Sequence, residues 1–181
     1  MTNDMTEVVK HVRPSWDDYF MSIARIVSTR ATCDRLHTGT VLVKDKRIVS
    51  TGYNGSPPGL EHCDDVGHLM EDGHCVRTVH GEHNALLQVA AIGGVSTRGT
   101  TLYMLYAPCI HCCKYIVAAG VAKVVIWKLY RGAQSVDYLR QAGLEVHMYT
   151  PSTEWGNFLS TMFAGDVEDK YGKPVNFSVE K

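Results

Sequence analysis

Two short stretches of the chain place histidine, glutamate and cysteine where helices are predicted to begin. The first is "VHGEHNALLQVA", in which His80 and Glu82 stand at the start of an apolar helical pattern. The second is "APCIHCCKY", in which Cys109 and Cys112 are three residues apart, so that a helix carries both sulfurs on one face. Free amides and the helix dipole favour thiolates in a first turn, and a thiolate is the form that binds zinc.

The spacing of the two stretches predicts that they meet at one edge of a sheet. One helix and one strand are predicted between His80 and Cys109, which is about one crossover unit. Three ligands, His80, Cys109 and Cys112, leave the fourth tetrahedral position to water, a pattern typical of catalytic zinc. Glu82 lies near the metal without having to bind it, and it can move protons between water and a substrate nitrogen.

Each of these motifs is weak evidence for a catalytic zinc site by itself, but in combination they are strong evidence. A single Cys-x-x-Cys is often a buried pair or half of a structural zinc site, and a single His-x-Glu is nearly uninformative. Cys113 is the rival of Cys112, but the Pro-Cys-x-x-Cys spacing favours Cys112 and leaves Cys113 as a small core residue. His83 is not expected to be a ligand. It either lines the pocket or is a tolerated polar residue at a helix start.

The elements that must position these residues can be read from the hydrophobic pattern. "SWDDYFMSIARIVSTRAT" has helical spacing with Ser15 as its cap, and two β-branched runs predict a hairpin with strands at 39–44 and 47–53. A loop poor in apolar residues follows at 54–79. Helices and strands then alternate, and the continuous apolar run "AKVVIW" is typical of a buried parallel strand.

The resulting order, α-β-β-α-β-α-β-α-β, predicts a three-layer α/β domain with a mixed sheet. Residues 1–14 are interpreted as an N-terminal arm, 15–150 as the domain, and 151–181 as a terminal helix with a polar tail.

Composition limits the class of protein. A chain of 181 residues with 45% hydrophobic residues suits one domain with a real core. A formal net charge of −1 argues against a broad basic surface for nucleic acid. The chain has no apolar run of about 18 residues and no apolar signal core, so we expect no membrane span and a cytoplasmic location. In that reducing compartment the six cysteines are expected to be thiols or metal ligands.

His-x-Glu followed by Pro-Cys-x-x-Cys is a signature of zinc-dependent nucleobase deaminases. Residues 15–150 more closely resemble the deoxycytidylate (dCMP) deaminases, and the similar stretches are "STGYNGSPPG", "HCDDVGHLMEDGHCVRTVHGE" and "PCIHCCKYIVAAGV". The resemblance implies a three-layer α/β/α cytidine-deaminase-like fold with a five-stranded mixed sheet. Gly81, His83 and "YMLYAPC" depart from the usual residues of that family, which puts fine substrate contacts in doubt but not the chemistry.

The resemblance also implies an activity and its regulation. The reaction would be hydrolytic deamination of dCMP to dUMP and ammonia, feeding thymidylate synthesis, with Glu82 moving protons to N3 and to the leaving amine. Members of the family are commonly homohexamers that dCTP activates and dTTP inhibits, with Mg²⁺ accompanying the triphosphate. The location would be the cytoplasm, or the host cytoplasm if a phage encodes the protein.

Two nucleotide contacts are expected. Asn54 corresponds to an asparagine that contacts the nucleotide in related deaminases, although Asn-Gly is also a common hairpin turn. A triphosphate site at a subunit interface would use the loop around Gly55 and the basic turn of Lys44, Lys46 and Arg47. Clustered cations can neutralise phosphates, but a solvated hairpin tip explains the same residues.

A second metal site is predicted in the loop at 54–79. Five of the nine histidines lie between residues 62 and 83, and a loop that buries little apolar surface can be tied down by structural zinc. The resemblance implies a ligand set of Cys33, Cys63, His74 and one of His68 or Cys75. The alternative is a group of solvated polar residues with free thiols.

Two other classes of function compete with dCMP deamination. A deaminase of another base, in tRNA or in a free nucleoside, is opposed by the near-neutral charge and by "GYNGSP". A zinc-stabilised module that only senses nucleotides is opposed by Glu82, because a purely structural site does not use a carboxylate two residues from a ligand.

Overall fold

The computed structural model describes residues 13–130 and 133–162, the last five of these by their backbone alone. Along the chain the elements are α1 (Trp16–Ser28), β1 (Gly39–Lys44), β2 (Arg47–Tyr53), α2 (Cys63–Val66), β3 (Met70–Glu71), β4 (His74–Cys75), α3 (Gly81–Ile92), β5 (Thr101–Tyr106), α4 (Ile110–Ala118), β6 (Lys123–Lys128), α5 (Gln134–Gln141), β7 (Glu145–Met148) and α6 (Thr153–Met162). Most of the predicted arm at 1–14 and the predicted tail after 162 lie outside the described residues. No described helix is both long and apolar enough to cross a membrane.

Five strands form one mixed sheet in the order β2-β1-β5-β6-β7. Strand β1 is antiparallel to both of its neighbours, whereas β5, β6 and β7 are parallel to one another. The centre of β6 is fully buried at Val124, Val125 and Ile126, because a parallel strand carries helices on both faces. The predicted five-stranded mixed sheet is confirmed.

Side chains alternate along β1 and divide the core into two layers. Leu42 packs with Leu86 of α3 and with α4 and α5 on one face of the sheet. Val41 and Val43 pack with Phe20 of α1 on the other face. The sheet therefore lies between helices, and the predicted three-layer α/β/α architecture is confirmed.

Helix α3 lies directly on strand β2, because Gly52 has no side chain. A Cβ atom at Gly52 would lie 2.1 Å from the carbonyl oxygen of Gly81 and 2.4 Å from the amide nitrogen of Ala85. On the same strand, the hydroxyl of Ser50 donates a hydrogen bond of 2.8 Å to the Ala85 carbonyl. These contacts set the distance between β2 and α3 and the rotation of the helix about its own axis.

The segment predicted as a loop at 54–79 has local structure of its own. It contains the short helix α2 and the two-stranded hairpin of β3 and β4. Asp72 and Gly73 connect these strands with positive φ angles of 46° and 74°, as a tight hairpin turn requires. At the base of the segment, Gly55 and Val79 exchange two backbone hydrogen bonds of 2.9 and 3.3 Å. The segment is therefore closed at its base and begins and ends beside the sheet.

Candidate catalytic metal centre

Three metal-binding side chains meet where α3 and α4 begin. His80 is the residue that caps α3, Cys109 caps α4, and Cys112 lies in the first turn of α4. Strand β5 ends at Tyr106, three residues before Cys109, so the group lies at the carboxyl edge of the parallel strands. That edge is where α/β sheets bind their ligands.

The distances within this group suit a zinc ion. The Nδ1 atom of His80 lies 3.6 Å from the sulfur of Cys109 and 3.5 Å from that of Cys112. Tetrahedral bonds of about 2.0 Å to nitrogen and about 2.3 Å to sulfur place two such ligands about 3.5 Å apart. All three donor atoms lie within 4.8 Å of one another. The donor set and its spacing therefore fit zinc, with one tetrahedral position not supplied by these residues.

The two cysteines differ in their affinity for protons. Hydrogen bonds from the Cys112 thiol and from His80 lower the pKa of Cys109 to about 3, although burial opposes this shift. The contact with Cys109 raises the pKa of Cys112. The low pKa of one sulfur favours the thiolate, the form that binds zinc, and a bound cation would displace the proton from the other.

Glu82 occupies the position of a proton carrier beside this group. Its side chain is only 7% exposed, and it lines the same cavity as His80 and Cys109. Burial raises the pKa of Glu82. A carboxyl group whose pKa moves towards neutrality can both accept and donate a proton in one reaction cycle.

Cys113 and His83, the neighbours of the predicted site residues, point elsewhere. Cys113 is fully buried, and its sulfur lies 3.7 Å from the carbonyl oxygen of Ser135. The ring of His83 stacks on that of Tyr115, with centroids 4.3 Å apart and planes 20° apart. Neither residue belongs to the three-donor group. The stack of His83 on Tyr115 instead joins the first turn of α3 to the second turn of α4, the two helices that carry the donors.

The donor group opens into a cavity of about 300 Å³. Asn54 lines this cavity and is 6% exposed, and its amide group forms hydrogen bonds within the cavity wall. Its oxygen accepts a 3.0 Å hydrogen bond from the Thr38 amide, and its nitrogen donates one of 2.7 Å to the Leu36 carbonyl. The apolar part of the wall includes Leu36 and Ile110.

The basic turn lies at the opposite end of the sheet from Asn54. Lys44 pairs with Arg47 at one end of the hairpin, and β2 then runs six residues to Tyr53, or about 20 Å at about 3.3 Å per residue. At the turn, the ammonium of Lys46 lies 5.4 Å from the centre of the Trp16 ring. Within one chain, the structure therefore separates these cations from Asn54 and from the adjacent Gly55.

A second group of four donors lies beside the same cavity. The donor atoms of Cys33, Cys63, His68 and Cys75 all lie within 4.8 Å of one another. The Cys63 and Cys75 sulfurs are 3.5 Å apart, and the Cys33 sulfur is 3.7 Å from Nδ1 of His68. Nε2 of His68 lies 3.0 Å from a carboxylate oxygen of Asp34, a contact that orients metal-binding histidines. Four donors close a tetrahedral site, as structural zinc requires.

The membership of this second group differs from the expected ligand set. The structure brings both His68 and Cys75 into the group and leaves His74 out. Adjacent residues of a strand point to opposite sides, so His74 and Cys75 of β4 cannot both face the same ion. Asp34 was not predicted, and its only sequence signal is its position next to Cys33.

Comparison with known proteins agrees with this geometry. A family sequence model described as "Cytidine and deoxycytidylate deaminase zinc-binding region" matches residues 14–128. The chain is 44% identical to ComE operon protein 2 of Bacillus subtilis (strain 168), over 74% of this chain and 71% of that protein. It is 37% identical to a deoxycytidylate deaminase of Mycobacterium phage D29, over 62% of this chain and 94% of that protein.

A solved structure supports the same assignment. The chain is similar to the crystal structure of a dCMP deaminase from the cyanophage S-TIM5 in complex with dCMP and dUMP, with a TM-score of 0.67 and 33% identity. This match covers 77% of the present chain and 100% of the cyanophage chain. The family model covers the first turns of α3 and α4, which carry the three donor residues, and the sequence and structure comparisons point to the same family. The chain therefore belongs to the cytidine and deoxycytidylate deaminase family of zinc-binding enzymes.

Proposed function

We propose that the protein hydrolyses dCMP to dUMP and ammonia and so supplies thymidylate synthesis. The observation that carries this proposal is the cavity in which the three-donor group and the buried carboxyl of Glu82 meet. A purely structural metal site has no use for such a carboxyl two residues from a ligand. The similarity to a deaminase crystallised with dCMP and dUMP supports a deoxycytidine nucleotide as the substrate.

The residues of the chain divide the work of this reaction. A bound zinc ion, held by His80, Cys109 and Cys112, would supply a Lewis acid. Glu82 takes one proton from water and delivers it to N3 of the base as water adds at C4. It then takes the second proton from the added hydroxyl group and delivers it to the amine, which leaves as ammonia. Leu36 and Ile110 give the cavity an apolar part of its wall.

The proposed activity can be measured by ultraviolet absorbance of the purified protein with dCMP, cytidine or adenosine, because deamination changes the absorbance of each base. We expect turnover of dCMP to dUMP in preference to the other two, with dUMP verified by chromatography. Removal of metal with a chelator should abolish the signal, and added zinc should restore it. Turnover of adenosine or cytidine with dCMP unchanged would contradict the proposal.

We also propose that dCTP activates the protein and that dTTP inhibits it, with Mg²⁺ accompanying the triphosphate. The protein would be a cytoplasmic homohexamer that acts on free nucleotides rather than on nucleic acid or membranes. Because Lys44 and Arg47 lie at the far end of β2 from Asn54 and Gly55, one effector can contact both regions only where two chains meet. The dCMP saturation curve, repeated with each triphosphate, tests this regulation. A typical coupling shifts the half-saturating concentration about 5- to 150-fold, in opposite directions for the two effectors. Unchanged curves would contradict it.

The second group of donors is proposed to hold a structural zinc ion. It has four donors, the number that a tetrahedral structural zinc site takes, and Asp34 contacts the second ring nitrogen of His68. The surrounding insertion has few buried side chains, with Cys63 at 7% exposure as an exception. An ion at this position would therefore contribute much of the free energy that keeps the insertion folded.

Elemental analysis of protein purified without added metal should find two zinc ions per chain, one for each group of donors. The His68→Ala variant should lose one ion, whereas the matched control His74→Ala should keep both, because His74 lies outside the group. A zinc content near one in the unmodified protein, or loss of an ion in the His74 variant alone, would contradict this assignment.

A further inference from the structure

The second group of donors places three thiols beside one another next to the catalytic cavity. All six cysteines of the chain are free, and three of them, Cys33, Cys63 and Cys75, belong to this group. The sulfurs of Cys63 and Cys75 are 3.5 Å apart, whereas the sulfur of Cys33 lies 3.7 Å from Nδ1 of His68. Two thiols in contact can form a disulfide after a small rearrangement, so Cys63 and Cys75 are the pair closest to that reaction.

The exposure and the charge of this pair favour oxidation. Cys75 is partly exposed, whereas Cys63 is only 7% exposed, and a reversible thiol pair combines one accessible sulfur with a neighbouring sulfur that resolves it. If the group holds zinc, its three thiolates and one neutral imidazole leave a net negative charge on the site, whereas the two thiolates of the catalytic group would be neutralised by their ion. The sulfurs of the second group are therefore the more electron-rich, as attack on an oxidant requires.

We propose that Cys63 and Cys75 are a reversible oxidation site, at which a peroxide joins the two sulfurs in a disulfide. The sulfur of Cys75 attacks one peroxide oxygen, the O–O bond breaks, and a sulfenic acid and one water molecule result. The sulfur of Cys63 then attacks that of Cys75, the S–O bond breaks, and a second water molecule leaves. The two sulfurs together lose two electrons, which the peroxide gains. The two protons come from the thiols, or from solvent where zinc has already displaced them.

The disulfide would change how the insertion at 54–79 is attached to the domain. Cys63, His68 and Cys75 lie in the insertion, whereas Cys33 lies in the segment after α1, so a shared ion would join the two. After oxidation only Cys33 and His68 remain as donors, too few to hold zinc, and this metal link is lost. Since Cys33 and Cys75 both line the catalytic cavity, its wall would loosen and turnover would fall. The effect on turnover rests on the proposed deamination of dCMP, whereas disulfide formation does not.

The test treats the zinc-loaded protein with an equimolar amount of hydrogen peroxide and maps its disulfides by mass spectrometry, while a chromogenic chelator measures released zinc. We expect a cross-link between Cys63 and Cys75, release of the zinc of the second group alone, and a loss of turnover. Dithiothreitol with added zinc should reverse all three. The Cys75→His variant keeps four donors but not the thiol pair, so it should retain its zinc. Cys113→Ala is the matched control, since this buried cysteine lies outside both groups and its variant should respond as the unmodified protein does.

Several results would overturn the inference. A first cross-link between Cys109 and Cys112, or the absence of any disulfide, would show that the second group is not the site of oxidation. Equal release of zinc from the Cys75→His variant would show the same, and if that variant did not fold, the disulfide map of the unmodified protein would decide. A disulfide that left turnover unchanged would refute the effect on the cavity wall. Failure of the untreated protein to deaminate dCMP would instead contradict the proposed function, and the disulfide map and zinc release would still test the thiol pair.

Discussion

The Glu82→Gln variant is expected to fold and to bind zinc as the unmodified protein does, while its turnover of dCMP falls by at least about 10²- to 10⁴-fold. Glutamine has nearly the shape of glutamate but cannot carry a proton. The loss should approach the upper end of that range or exceed it, because one carboxyl is proposed to serve every proton transfer of the reaction. The pKa of Glu82, raised by burial, suits that double use.

The measurement is a dCMP saturation curve together with elemental analysis and a thermal melt. Glu154→Gln is the control, since Glu154 is exposed on α6, away from the cavity. A Glu82→Gln variant with nearly normal turnover would show that another group moves the protons. A variant that also lost its zinc would show that Glu82 supports the metal rather than the reaction.

The second large loss of turnover is expected when Cys112 is replaced, but not when its neighbour Cys113 is replaced. Cys112→Ala should lose the catalytic zinc and with it all measurable turnover, because only two of three donors remain. Cys113→Ala should keep both zinc and turnover and should lower the melting temperature, because its sulfur packs in the core beside Ser135. Cys109→Ala should behave as Cys112→Ala does.

Elemental analysis distinguishes the two cysteines directly. Because residues 112 and 113 are neighbours on one helix, each variant is a matched control for the other. Retention of the metal by Cys112→Ala, with loss in Cys113→Ala, would exchange the assigned roles. If both variants lost the metal, disruption of α4 rather than ligand loss would be indicated, and the melting temperatures would show it.

The part of this fold that follows from the sequence is the part with a strong periodic pattern. The hairpin strands at 39–44 and 47–53 agree with the structure because β-branched runs flank a short turn. The meeting of His80, Cys109 and Cys112 follows from local spacing and from one crossover unit. Both conclusions depend on backbone geometry that is nearly the same in every α/β protein.

The sequence was less informative where three-dimensional packing determines the local structure and which side chains come together. The insertion at 54–79 has too few apolar residues for a periodic signal, so α2 and the small hairpin were not predicted. The choice between His74 and the pair of His68 and Cys75 depends on which side of β4 faces the other donors. The turn at Arg47 and Asn54 are close in sequence, but the extended strand between them separates the two within one chain, so the effector site predicted from both stays a prediction that requires two chains.

The contact of Gly52 with α3 affects how a library of single substitutions would be interpreted. Any side chain at that position meets the backbone of the helix that carries Glu82, and backbone atoms cannot move aside as the end of a flexible side chain can. In an activity screen, substitutions at residues 52 and 82 would look equally harmful. A parallel screen of cellular abundance would separate them, since variants at residue 52 would be degraded whereas variants at residue 82 would accumulate as folded, inactive protein.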